Sequence, residues 1–300
     1  MSTSTLTPGG SAPLGRHTVA RVGYGAMQLE KFRDDRASAI TLLHHALDLG
    51  VNHFDTADFY GHGFVNDLLR EAVVDRPDVV IVTKVGALPD AGPIPLRPAQ
   101  KPHELRASVE GNLSSLGVDR LDVVNLRRVG VGPGIRAQGD QVVDLDDQLA
   151  ELIALRDEGK LGEIGLSSVT AETLLAALPA GIVCVQNVYS LVDRSFEGVL
   201  EACVANGVAW VPFFPLGGGR GGPMVREVPA VVEAAAQLGA TPSQVGLAWL
   251  LQHSPNSLLI PGTSTPDHLD ENVAAGSLVV PAEVMRQLDS LALDQDAQIV

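Results

Sequence analysis

Short apolar runs alternate with longer stretches in which apolar residues recur every three or four positions, along nearly the whole chain. The short runs predict strands at 21–25, 52–57, 79–85, 121–127, 163–167, 183–189, 209–216 and 257–261. The longer ones predict helices at 35–49, 102–116, 145–158, 170–177, 196–206, 242–252 and 266–275, with a last one near 281–291. Over 35–49, for example, Ala39, Leu42, Leu43, Ala46 and Leu49 fall on one helical face. Gly50 and Gly117 stand where helices end, and Thr241-Pro242 reads as a cap followed by a first-turn proline.

Eight strands interleaved with helices call for parallel pairing and short crossovers, hence an α/β fold of the (β/α)8 TIM-barrel type, one domain over 1–300. The alternative is an open doubly wound sheet, which would carry a Gly-rich dinucleotide turn after its first strand. Here that strand continues Gly23-Tyr24-Gly25-Ala26-Met27, without the triple-Gly spacing. No repeat, linker or low-complexity tract divides the chain; the Gly-rich tracts 129–139 and 217–222 each follow a strand and read as βα loops.

Composition narrows the partners. Hydrophobic residues make up 45% of the chain but aromatics only 4%, so the core must be built from Val, Leu, Ile and Ala. A formal net charge of -15 argues against nucleic acid and against anionic membrane surfaces. Cys184 and Cys203 have neither metal-ligand nor disulfide-framework spacing, and read as reduced, buried thiols of a cytoplasmic protein with no metal site. The Ser/Thr/Gly/Pro-rich stretch 1–13 holds no apolar signal segment, and no run reaches transmembrane length.

The candidate chemistry lies in Phe54-Asp55-Thr56-Ala57-Asp58-Phe59-Tyr60-Gly61 and in Val82-Thr83-Lys84. In a barrel, reactive groups gather at the C-terminal ends of strands. Asp55 ends the second predicted strand, Tyr60 lies in the loop beyond it, and Lys84 ends the third, so all three open on one face. A Lys closing the run Val79, Val80, Ile81, Val82 needs a buried partner, and Asp55 can supply it. The ammonium would in turn favour the phenolate of Tyr60, whose unperturbed pKa is about 10. Together the three read as a tuned general acid. His62, two residues on, reads as an exposed loop residue.

These motifs resemble the aldo-keto reductase family over almost the entire chain. Gly25-Ala26-Met27, Asp55 to Gly61, Thr83-Lys84, Gly165-Leu166-Ser167, Gln186, Pro215-Leu216-Gly217 and Ile260-Pro261-Gly262 stand where that family carries similar residues. The resemblance implies hydride transfer from NADPH, with NADH left open, to the carbonyl of a small molecule. It gives Tyr60 the role of proton donor, Lys84 that of lowering its pKa, and Asp55 that of pairing with Lys84. One position departs from the pattern: Arg127 falls where the family usually has a His at the end of strand four. By alternation Asn125 and Arg127 point the same way, so both could face the barrel mouth. An Arg does not shuttle protons near neutrality, but it polarises a carbonyl or grips an anionic substituent.

The Asn125-Leu126-Arg127 ending, with 183–189 and 211–218, resembles the subgroup that includes bacterial pyridoxal reductases. Pyridoxal is then the first substrate to expect. A biosynthetic ketone or sugar intermediate, or a nucleotide-sensing role without catalysis, are the alternatives. For the cofactor, the resemblance assigns Ser167 and Gln186 to the nicotinamide carboxamide and Phe213 to stacking on its ring. It assigns Leu216 and Gly217 to the pyrophosphate, and Glu271 and Asn272 to the adenine. Thr263 and Ser264 would face the 2′-phosphate with His268 on the same segment, although strongly basic residues are absent at 262 and 268.

Overall fold

An antiparallel hairpin, β1 (Ser11–Leu14) and β2 (His17–Ala20), opens the chain in a computed structural model that describes residues 7–91, 95–132 and 134–291. Residues 1–6 of the polar N-terminal stretch and residues 292–300, the two ends of the expected 1–300 span, lie outside the described residues. Next come β3 (Tyr24–Gly25), β4 (His53–Asp55) and β5 (Val80–Val85), then a small hairpin of β6 (Ala87–Pro89) and β7 (Leu96–Pro98). The series ends with β8 (Leu121–Arg127), β9 (Leu161–Ser167), β10 (Ile182–Gln186) and β11 (Ala209–Trp210).

Seven of these form one parallel sheet in the order β11-β10-β9-β8-β5-β4-β3. The segment 257–261 closes it into a ring, through parallel bridges Trp210↔Ser257 on one side and Val22↔Leu259 on the other. The eight-stranded barrel expected from the alternation of elements is therefore the fold. Its seventh predicted strand is much shorter than 209–216, because Pro212 and Pro215 cannot donate to a ladder.

Ten α-helices accompany the described strands: α1 (Arg36–Asp48), α2 (Phe64–Ala72), α3 (Pro102–Leu116), α4 (Leu145–Asp157), α5 (Ala171–Ala177), α6 (Glu197–Ala205), α7 (Pro229–Leu238), α8 (Pro242–His253), α9 (Pro266–Ala274) and α10 (Ala282–Asp289). The expected stops and starts are present. Gly50 and Gly117 adopt left-handed φ at helix ends, and Thr241 caps α8 in a box with Gln244. Sequence patterning leaves α2, α7 and both hairpins unmarked. In α2 the apolar stripe of Val65, Leu68, Leu69 and Ala72 is carried by a helix of only nine residues, with Asn66 buried beside it.

Strand alternation sorts the barrel interior into layers. Val80, Val82 and Lys84 share the inward side of β5, and Val123, Asn125 and Arg127 share that of β8. The lower layer is apolar: Val80, Val82, Val123, Cys184, Ala209, Leu258 and Ile260 pack together, and the hairpin residues Leu14 and Val19 close it from below. Glu163 holds that hairpin, accepting the Arg16 N–H at 3.0 Å. Above the apolar layer the inward positions turn polar, and the site begins there. Gly165 makes room for one of them, since a Cβ there would lie 2.0 Å from Asn125 Oδ1.

Behind the sheet, a buried polar network ties α2 and α3 to β5 and the end of β4. Thr56 Oγ1 donates to Asn66 Oδ1 at 2.8 Å, while Asn66 Nδ2 and Thr83 Oγ1 donate to Asn112 Oδ1 at 3.1 and 2.6 Å. Truncating Asn112 strands the Thr83 hydroxyl without its acceptor and removes one partner of the Asn66 amide. Asn112→Ala should therefore cost roughly 2–4 kcal/mol of unfolding free energy. A urea midpoint unchanged at constant slope would contradict that weight.

Candidate active site

The site grows from the ends of β4 and β5. Their register sets Asp55 opposite Val82 and Lys84 opposite Asn125, so one step past the apolar layer the chain presents a carboxylate and an ammonium. Lys84 Nζ donates to Asp55 Oδ1 at 2.5 Å and to the Thr56 carbonyl at 2.9 Å. Asp55 Oδ2 accepts from Gln186 Nε2 at 2.6 Å. Both members of the ion pair are buried, and each is bound on more than one side, which offsets the cost of taking charges out of water.

Tyr60 sits beside this pair on a single 3-10 turn, Tyr60–Gly63. Its ring lies 5.2 Å from Lys84 Nζ and meets the Phe59 ring edge-on, centroids 5.2 Å apart. Burial pushes the phenol up, while Lys84 and, more weakly, Arg127 pull it down. Lys84 acts in the expected direction, but burial outweighs it and the net shift is upward. Burial likewise pushes the Lys84 ammonium down, but Asp55 and Tyr60 more than restore it, so its pKa is raised and it stays cationic near neutrality. The arrangement is a protonated phenol against a fixed cation.

These groups open on a cleft of about 790 Å³ at the C-terminal ends of the strands. Asp55, Tyr60, Lys84, Arg127, Ser167, Phe213, Leu216 and Gly217 line it, together with residues that patterning did not single out, Glu30, Arg33, Phe214 and Met224. Met27 lines it as well and stands half-exposed at the mouth. Phe214 carries a signal only in three dimensions: its φ is +54°, a left-handed conformation rare for a side chain of that size. His62 is exposed at the rim, again with left-handed φ.

Arg127 reaches the cleft, whereas Asn125, on the same side of β8, lies a layer deeper and is wholly buried. Only one of the two faces the mouth. The Arg127 guanidinium lies 5.9 Å from the Phe59 ring centroid, and a Cβ on Gly134 would come within 3.2 Å of it. No ion pair among the described residues involves it, and burial lowers its pKa from the ordinary value, with Tyr60 acting the other way. Gln186 stands behind the cleft wall, wholly buried, with its Oε1 unmatched. Thr263, Ser264, His268, Glu271 and Asn272 do not line the cleft. They belong to the last barrel segment and α9, where Thr263 Oγ1 accepts the Thr265 N–H at 3.1 Å and Thr265 caps the helix onto the His268 N–H. The Asp270 carboxylate is taken up by His45 at 2.7 Å.

A barrel with an Asp-Lys ion pair, a phenol and an apolar cleft at its strand ends defines a class, and comparison with known proteins identifies it. A sequence model of the Aldo/keto reductase family matches residues 21–293, and the chain belongs to that family. It is 46% identical to the pyridoxine 4-dehydrogenase of Escherichia coli (strain K12), over 97% of this chain and 99% of that protein. An uncharacterized oxidoreductase of Schizosaccharomyces pombe is 35% identical over 96% of this chain and 92% of its own. Among solved structures, a thermostable aldo-keto reductase in complex with the inhibitor epalrestat superposes with a TM-score of 0.79 at 29% identity, covering 94% of this chain and 99% of that one. No helix among the described residues is long and apolar enough to cross a membrane.

Asp58, in the loop between Asp55 and Tyr60, has one carboxylate oxygen buried without a partner. Burial pushes this carboxyl up to about 7, against the pull of the Phe59 N–H. Its folded pKa lies above its unfolded one, so the stability it contributes is complete below pH about 4 and lost as pH rises through 7. Asp58→Asn should therefore raise the melting temperature relative to the parent at pH 8 but not at pH 4. The same difference at both pH values would contradict the assignment.

Proposed function

We propose that this protein is an NADPH-dependent reductase of a small aromatic aldehyde, with pyridoxal as the leading substrate, built as one barrel domain over 1–300 and working in the cytoplasm. The observation that carries this reading is the enclosed Asp55–Lys84 pair set against Tyr60 at the floor of the cleft. The substrate rests on the relative named pyridoxine 4-dehydrogenase, which matches nearly the full length of both chains.

The residues fit a nicotinamide. The cleft volume of about 790 Å³ suits a small-molecule site, and Phe213 and Leu216 give it an apolar wall beside the Ser167 hydroxyl. The unmatched Oε1 of Gln186 is an acceptor of the kind a carboxamide N–H requires. We assign Ser167, Gln186 and Phe213 to that end of the cofactor, and Leu216 and Gly217 to its middle. Thr263, Ser264, His268, Glu271 and Asn272 are assigned to the adenosine end. Bound there, the nicotinamide supplies the hydride.

The chain's own residues handle the proton. A phenol whose pKa is held up by burial is protonated at neutral pH and can give its proton to the forming alkoxide. Lys84, kept cationic by Asp55, stabilises the phenolate left behind. Arg127 replaces a titrating group with a permanent cation. In pyridoxal a phenolic oxygen lies next to the carbonyl, and a guanidinium with no ion-pair partner among the described residues is suited to hold that oxygen as phenolate.

Purified protein should oxidise NADPH when pyridoxal is added and not in its absence, and Tyr60→Phe should lose most of that rate while still binding NADPH. NADPH binding without pyridoxal-dependent oxidation would sink the proposal. Arg127→Ala should lower kcat/KM for pyridoxal roughly tenfold more than for benzaldehyde, which lacks the neighbouring oxygen. Equal losses on the two aldehydes would mean that Arg127 does not read it.

A further inference from the structure

We propose that Glu30 and Arg33 are positioning residues for Tyr60, acting as a two-sided clamp on the backbone of Gly61. The inference rests on the reading of Tyr60 as proton donor. Tyr60 is the one member of the cluster that no strand holds: Asp55 and Lys84 lie within β4 and β5, but Tyr60 begins a four-residue turn. That turn is unusual, because Gly61 and His62 take consecutive left-handed conformations, φ +57° and +53°. A side chain as large as His rarely adopts that geometry unless its surroundings impose it.

The surroundings are on the opposite loop. The 3-10 turn Ala26–Phe32 follows β3 and brings Glu30 and Arg33 across to Gly61. The Gly61 N–H donates to Glu30 Oε1 at 2.8 Å, and Arg33 Nη2 donates to the Gly61 carbonyl. Both polar groups of one peptide neighbour of Tyr60 are thus fixed by side chains about thirty residues away. The fit is close, since a Cβ on Gly61 would lie 3.2 Å from Arg33 Nη2 and 3.4 Å from Glu30 Cγ. The Arg33 guanidinium is itself seated 5.4 Å from the Phe64 ring centroid, at the start of α2. The clamp therefore joins the loops after the first and second barrel strands and sets how far Tyr60 projects toward the carbonyl.

The test compares Glu30→Ala with Glu30→Gln in the full chain, since Gln keeps an acceptor for the Gly61 N–H but not the charge. Glu30→Ala should lower kcat for pyridoxal by about 10- to 100-fold, the scale of a small misplacement of a reacting group, with the NADPH dissociation constant and melting temperature near those of the parent. Glu30→Gln should restore most of kcat. Amide hydrogen exchange over 60–64 should quicken in Glu30→Ala and not in Glu30→Gln. Parental exchange in Glu30→Ala, or a Glu30→Gln variant as slow in turnover as Glu30→Ala, overturns the clamp. Exchange is read without substrate, so a parent protein inert toward pyridoxal would remove the proton-donor reading while the exchange result still decided whether the clamp exists.

Discussion

The buried ion pair between Lys84 and Asp55 is the interaction on which the rest of the site depends. An ammonium and a carboxylate removed from water are tolerable only when each has further partners. Here Lys84 also binds the Thr56 carbonyl and Asp55 also accepts from Gln186. Those bonds require β4, β5 and β10 to be in register and the ring to be closed. A one-residue slip of β5 would turn Lys84 outward and place Thr83 inside. The buried network of Thr56, Asn66, Thr83 and Asn112 works from the other side of the sheet, holding the backbone at the same two strand ends. The barrel is in this sense the scaffold of one charge pair.

From that pair the chemistry follows by electrostatics. The chain as a whole is strongly acidic, yet its cleft brings Arg33, Lys84 and Arg127 together with only Asp55 and Glu30 as carboxylates among its lining residues. An anionic or polarised oxygen is therefore favoured inside a molecule whose exterior repels anions. Arg127 shapes this most, because it brings a cation that does not titrate to a position facing Tyr60. In the proposed mechanism Tyr60 then remains the group whose proton moves.

Much of this was legible in the residues, and the parts that were not share a physical cause. Strands and helices that bury one continuous face announce themselves by period, so the barrel followed from the spacing of apolar runs. Asp55 and Lys84 stood out because a charge at the end of an apolar strand needs a partner. The helix α2 did not, since its apolar stripe spans only nine residues, and the Asn66 buried beside it serves the network behind the sheet. The net rise of the Tyr60 pKa was hidden for a related reason: a sequence shows which charges are near but not how deeply a hydroxyl is enclosed. Asn125 and Arg127 share one strand face, and only the depth of the cleft separates their surroundings. Glu30 and Gly61 meet through a side chain and a backbone amide across two loops, a contact with no periodic trace at all.

The central claim is that the Lys84 ammonium acts on the Tyr60 phenol, and tyrosinate absorbance on alkaline titration tests it most directly. The chain has three tyrosines, and the step that belongs to Tyr60 is the one lost in Tyr60→Phe. That step should move to higher pH in Lys84→Met, because Lys84 pulls the phenol down. A Tyr60 step that stays in place when Lys84 is removed would contradict the account.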